Sequence, residues 1–130
     1  MKSVFSKTWK SSVKPRKQKK YVYNAPLHRK SKFLSVNLSK ELRKKYNVRN
    51  VKVRKGDTVR IQRGRYKSQE GKIDFVFPKK GIVYIEGYEM SKGEGSKARL
   101  SFKPSNLQIV DLNLSDKLRK QKLEQLKEKK

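Results

Sequence analysis

Between residues 51 and 110 the apolar residues fall in short runs that alternate with polar ones, and glycine or proline breaks most of the gaps. Val59 and Ile61 alternate with Arg60 and Gln62, so one face of that segment can be buried while the other stays solvated. The same reading predicts strands over about 51–54, 57–63, 71–77, 82–86, 98–103 and 107–110. Phe77-Pro78-Lys79-Lys80-Gly81 has the composition of a hairpin tip, and Met90 to Lys97 forms a longer one. Short strands joined in this way imply a closed or nearly closed all-β unit. Its expected core is Val51, Val53, Val59, Ile61, Ile73, Phe75, Val83, Ile85, Leu100, Phe102, Leu107 and Ile109. A unit of roughly 60 residues buries only about 60% of the surface its unfolded chain exposes, so modest intrinsic stability is expected.

The flanks follow other rules. Residues 1–36 mix Lys, Arg and Ser with scattered Phe5, Trp9, Tyr21, Tyr23 and Phe33, show no sustained period, and contain Pro15 and Pro26. They are predicted to form an extended basic arm. Residues 37–50 hold a short helix and linker, with Ser39 as N-cap, Glu41 in the first turn, and Leu38, Leu42 and Tyr46 as an apolar stripe. The β-unit takes residues 51–112. Residues 113–130 form a basic C-terminal helix or tail, with Ser115 as its cap, Asp116 in its first turn, and a thin stripe of Leu118, Leu123 and Leu126. A frayed solvated helix and one ordered by a partner both fit that stripe.

Charge decides the class of partner. The 130 residues carry 37 Lys and Arg against 11 Asp and Glu, a formal net charge of +26. That is far beyond what solubility requires, and a polyanion is the expected counterpart. No acidic residue precedes Glu41. The cations are therefore densest in the half with the least strand pattern. With no cysteine, disulfides and thiolate metal sites are excluded. No apolar run approaches the roughly 20 residues that span a bilayer. The first residues lead into more lysine instead of a signal-peptide apolar segment. A soluble, cytosolic protein is expected, with nucleolar passage if the source cell has a nucleus.

Gly56-Asp57, Val59, Ile61, Gly64 and Gly71-Lys72-Ile73 resemble the KOW motif. That motif sits on a small SH3-like barrel in RNA-associated proteins, transcription elongation factors among them. The segments Tyr23 to His28, Leu38 to Arg43, Lys45 to Arg49 and Pro104 to Leu107 narrow the choice. Together they resemble the family numbered twenty-four among universal large-subunit ribosomal proteins, in its archaeal and eukaryotic form (twenty-six in eukaryotes). The likeness covers residues 15 to about 120. Ser68 departs from it, because the family usually has glycine in the loop before Gly71. The resemblance implies a mainly β fold, an SH3-like barrel with a basic N-terminal arm, a short helix before the barrel and a C-terminal helix. It also implies a structural, non-enzymatic protein that binds large-subunit rRNA, supports early subunit assembly, lies near the peptide exit tunnel, and touches neighbouring large-subunit proteins.

The candidate RNA contacts fall in three groups. In the arm, Arg16, Lys17, Lys19 and Lys20 precede Tyr21, Tyr23 and Asn24, and His28, Arg29, Lys30 and Lys32 follow. This interleaves phosphate-neutralising cations with rings able to stack on unpaired bases. A flexible solubilising tail is the plainer alternative. Arg49, Arg54 and Lys55 join arm to barrel, either as one basic stripe or as ordinary edge charges. In the KOW loop, Arg63, Arg65, Tyr66 and Lys67 flank or follow Gly64 ahead of Gly71, and Lys79 and Lys80 occupy the hairpin tip. Tyr66 can face RNA or pack beneath its own loop. Gly56, Gly64 and Gly71 are the structural glycines, with positive φ expected at Gly71.

Catalysis has no support. Asp57 reads as a strand-start turn residue and Asp74 as a polar neighbour of Ile73 and Phe75. No nucleophile, phosphate-cradling loop or metal spacing accompanies them. His28 is the only histidine. No metal, cofactor, membrane or small-molecule substrate is expected. A KOW module of an elongation factor and a histone-like DNA-compacting protein are the remaining readings. The first expects a further polymerase-binding domain, the second a preference for duplex DNA.

Overall fold

The computed structural model describes residues 5–128. Seven strands run in the order β2-β1-β7-β3-β4-β5-β6 in a single sheet that does not close. They are β1 (Ser35–Leu38), β2 (Asn50–Lys52), β3 (Thr58–Ile61), β4 (Glu70–Phe77), β5 (Ile82–Ser91), β6 (Lys97–Phe102) and β7 (Leu107–Asp111). Pairing is antiparallel except between β1 and β7, where Asn37 and Leu38 lie beside Gln108 and Ile109 in parallel. Val36 near one end of the ladder and Phe102 at the other belong to one buried cluster with Val59, Ile73, Val83 and Ile109. The sheet therefore curls around a common core, a small barrel-like domain of mainly β structure.

Most expected core positions are buried, with Val51 and Leu100 half-buried against the cluster. Phe75 is the exception, at 50% exposure. Its strand changes register there, since Ile73 pairs with Ile85 but Phe75 with Tyr84, which leaves one extra residue on β4. Such a bulge reverses the alternation beyond it. Val76 turns toward the core and Phe75 turns out.

The expected extended arm is instead largely helical among the described residues. α1 spans Pro15–Asn24, α2 Leu27–Lys30, and a single-turn 3-10 segment Ser31–Leu34 leads directly into β1. Pro15 does not interrupt structure. It sits at the first helical position, where its missing N–H has no partner to lose. The residues just beyond also belong to the core: Leu34 and Val36 are fully buried, and the Val53 N–H donates to the Leu34 carbonyl at 3.1 Å.

Helix α3 (Lys40–Tyr46) forms as its sequence dictates. Ser39 Oγ accepts from the Leu42 N–H at 3.3 Å, and Asn47 closes the helix in the left-handed region with φ 54°. Leu38 and Tyr46 are buried and Leu42 packs against the core. The C-terminal helix α4 (Lys117–Glu128) is capped by Asp116 and not by Ser115, because Asp116 Oδ1 accepts the Leu118 N–H at 3.0 Å. The Arg54 guanidinium, and next that N–H, hold the Asp116 carboxyl below its ordinary range. Leu123 is buried, so α4 is part of the fold through that residue, while Leu118 stays exposed.

α4 is fastened by an ion pair that neither flank announces. Asp57 has no exposed surface and Arg119 only 7%. Arg119 Nη1 and Nη2 donate to Asp57 Oδ1 and Oδ2 at 2.6 and 2.8 Å. The backbone N–H groups of Asn113 and Arg54 supply two more bonds, at 2.9 and 2.8 Å. Asp57 is thus more than a strand-start turn residue. It ties the strand entry, the segment after β7 and α4 together.

Candidate nucleic-acid interface

α1 presents Arg16, Lys17, Lys19 and Lys20 to solvent, and none has an ion-pair partner among the described residues. With no acid to neutralise it, the helix is a cationic rod. Its two tyrosines have different situations. Tyr21 stacks on Trp9 with centroids 4.2 Å apart and touches Phe5 and Phe33 at 5.0 and 6.3 Å. That cluster occupies its ring, and the role in base stacking expected of it passes to its neighbour. Tyr23 is 81% exposed. Lys30 folds back on it, with Nζ donating to the Tyr23 carbonyl at 2.9 Å and lying 6.0 Å from the ring centroid.

Chain folding brings a distant cation to this ring. An open cleft is lined by Gln18, Lys19, Val22, Tyr23, Lys30 and Lys79. Lys79 belongs to the β4–β5 tip, more than fifty positions along the chain. Arm and hairpin tip thus share one basic surface. Lys80 lies 5.7 Å above the Phe77 ring. Asn24 is half-buried beside the Tyr21 cluster; His28 and Lys32 are exposed and Arg29 half-buried. His28 contributes its carbonyl to Ser31 Oγ at 2.9 Å.

In the KOW loop Arg63, Arg65 and Lys67 are exposed, without ion-pair partners among the described residues. Tyr66 is half-buried and meets Tyr88 edge-on at 5.2 Å. Of its two options it takes packing beneath the loop, and Arg65 spreads over it at 6.0 Å. Gly56 and Gly64 have φ of 86° and 94°, but Gly71 is not in the left-handed region. What Gly71 supplies is space, since a Cβ there would lie 2.5 Å from Ile85 Cγ2. The positive φ falls on Ser68, at 69°.

The junction cations are only partly available. Arg49 is exposed, whereas Arg54 is paired with Asp116 and Lys55 with Asp74 at 3.2 Å. Asp74 also accepts from Arg99 at 2.8 Å, so it organises surface cations and is more than a polar neighbour in its strand. Among the described residues no three His, Cys, Asp or Glu side chains gather as a metal would require. No helix there is long and apolar enough to cross a membrane.

Residues 12–126 match the family described as ribosomal proteins L26 in eukaryotes and, in archaea, L24 of the P type. The chain belongs to this family. It is 44% identical over 112 residues to the large ribosomal subunit protein uL24 of Methanospirillum hungatei, covering 86% of this chain and 93% of that one. With the uL24 of Methanoculleus marisnigri the identity is 46% over the same shares. With that of Nanoarchaeum equitans it is 42% over 121 residues, 93% of this chain and 81% of the relative. Membership makes this a ribosomal protein with a structural role and not an enzyme. The family match takes in the KOW loop, the hairpin tip, α1 and nearly all of α4.

Proposed function

We propose that the chain is a constituent of the large ribosomal subunit that binds large-subunit rRNA, joins early in subunit assembly and lies near the outer end of the peptide exit tunnel. Neighbouring large-subunit proteins would be its other partners. Its place of work is the ribosome in the cytoplasm, with nucleolar passage if the source is eukaryotic. The observation that carries the reading is the meeting of α1 cations, Lys30 and Lys79 around the exposed Tyr23 ring. RNA phosphates relieve the repulsion among these cations, and unpaired bases have an aromatic face to stack on. The barrel fixes orientation. The arm and loops lower phosphate repulsion between RNA helices that must pack together.

Titration of the protein with transcribed large-subunit rRNA and with duplex DNA across a salt series tests this. We expect preference for the rRNA and a steep log–log salt slope, with about 0.9 of a unit, or somewhat less for single strands, for each phosphate neutralised. Preference for duplex DNA would favour a DNA-compacting role instead.

A further inference from the structure

The outward face of β4 and β5 carries aromatic rings that the core does not use. Phe75 is half exposed, and its ring lies 6.2 Å from both Phe77 and Tyr84. The bulge between Ile73 and Phe75 puts it there; unbroken alternation would have placed it on the inner face with Ile73. Cations border these rings. Lys80 covers Phe77, and Lys55 and Arg99 share the single carboxylate of Asp74, which leaves that trio one positive charge in excess. Beside Phe75 a cleft of about 510 Å³ opens, walled by Phe75, Val76 and Pro78 and edged by Lys52, Arg54 and Lys55. A cavity of that size accepts a small organic group such as a base with its sugar.

We infer that this face is a stacking platform for unpaired nucleotides, separate from the basic surface around Tyr23. It rests on the RNA-binding reading and adds a second, single-strand-selective site to it. The occupant is a single-stranded polyanion and not an apolar protein surface, because the rings are bracketed by cations on both sides. Successive bases stack on such rings while ammonium and guanidinium groups follow the backbone. Phe75 would receive one base with Tyr84 beside it, and Lys55 and Lys80 would meet the flanking phosphates.

The test uses the full chain and a single-stranded oligoribonucleotide carrying one 2-aminopurine, with the same sequence as a duplex for comparison. Stacking should quench the fluorophore. Phe75→Leu keeps the apolar character of an exposed position and should preserve the melting curve, yet weaken single-strand binding about ten-fold. Phe75→Trp should retain binding, and neither change should alter duplex binding. Equal single-strand affinity of Phe75→Leu and the unchanged protein would overturn the platform. So would loss of a neighbouring protein from subunits carrying Phe75→Leu with single-strand affinity unchanged, which would give this face to a protein. Failure of the broader reading looks different. In that case the unchanged protein binds the oligonucleotide through Phe75 but shows no preference for large-subunit rRNA.

Discussion

At Asp57, four hydrogen bonds satisfy a carboxylate that has no contact with water. A buried pair of this kind adds little over an apolar replacement, but removing one partner strands the other charge. Arg119→Met should therefore lower the unfolding free energy by about 3 kcal/mol in urea melts. A loss below about 1 kcal/mol, the range of exposed pairs, would mean that Asp57 is not held as described. Asp57 itself was visible in the KOW motif, but its partner was not, because Arg119 lies 62 positions away in a helix with many other cations. The glycines teach a related point. Gly71 is marked by its motif position, yet what it provides is clearance beside Ile85 and Tyr88, which depends on how β5 packs. Gly71→Ala should cost about 1–3 kcal/mol through overpacking, read from the same melts. Ser68→Gly removes left-handed strain while loosening the unfolded chain, so these effects offset and the melt should move by less than about 1 kcal/mol.

Among the elements, strands and turns could be read from alternation and turn residues alone, and α3 from Ser39 and its apolar stripe. Two features required knowledge of their neighbours. β1 is a four-residue strand, Ser-Val-Asn-Leu, and only its pairing with β2 and β7 distinguishes it from the basic segment before it. The β4 bulge that exposes Phe75 leaves no mark in the sequence, because Ile73, Phe75 and Phe77 fit a regular strand. The helical α1 was hidden by Pro15, which ends helices in their interior but begins them at the first position. These corrections move the dispensable boundary. Deleting residues 1–24 removes eight Lys and Arg and should leave a cooperative melt, while the rRNA salt slope becomes shallower by about 0.9 for each phosphate no longer neutralised. Deleting residues 1–36 also removes the fully buried Leu34 and Val36 and should abolish that melt. An unchanged salt slope in the shorter deletion would show that the arm cations do not meet phosphate.

For the whole molecule, the class of partner was legible in a formal charge of +26 over 130 residues, and the family in the KOW motif with its flanks. The arrangement of those charges was not. Lys79 reaches the Tyr23 surface because β4 and β5 carry their tip toward α1, while Arg54 and Lys55 are drawn into ion pairs by Asp116 and Asp74. Tyr21 is removed from the interface by Trp9 and Phe5, and Phe75 is added to a surface by a bulge. The central claim is that this curled sheet with its basic helices resides in the large subunit on rRNA. Sucrose-gradient fractionation of cells carrying a tagged copy, with and without magnesium chelation, tests it most directly. The tag should travel stoichiometrically with intact ribosomes and then with the free large subunit. Its absence from both, with recovery on polymerase or chromatin, would contradict the assignment.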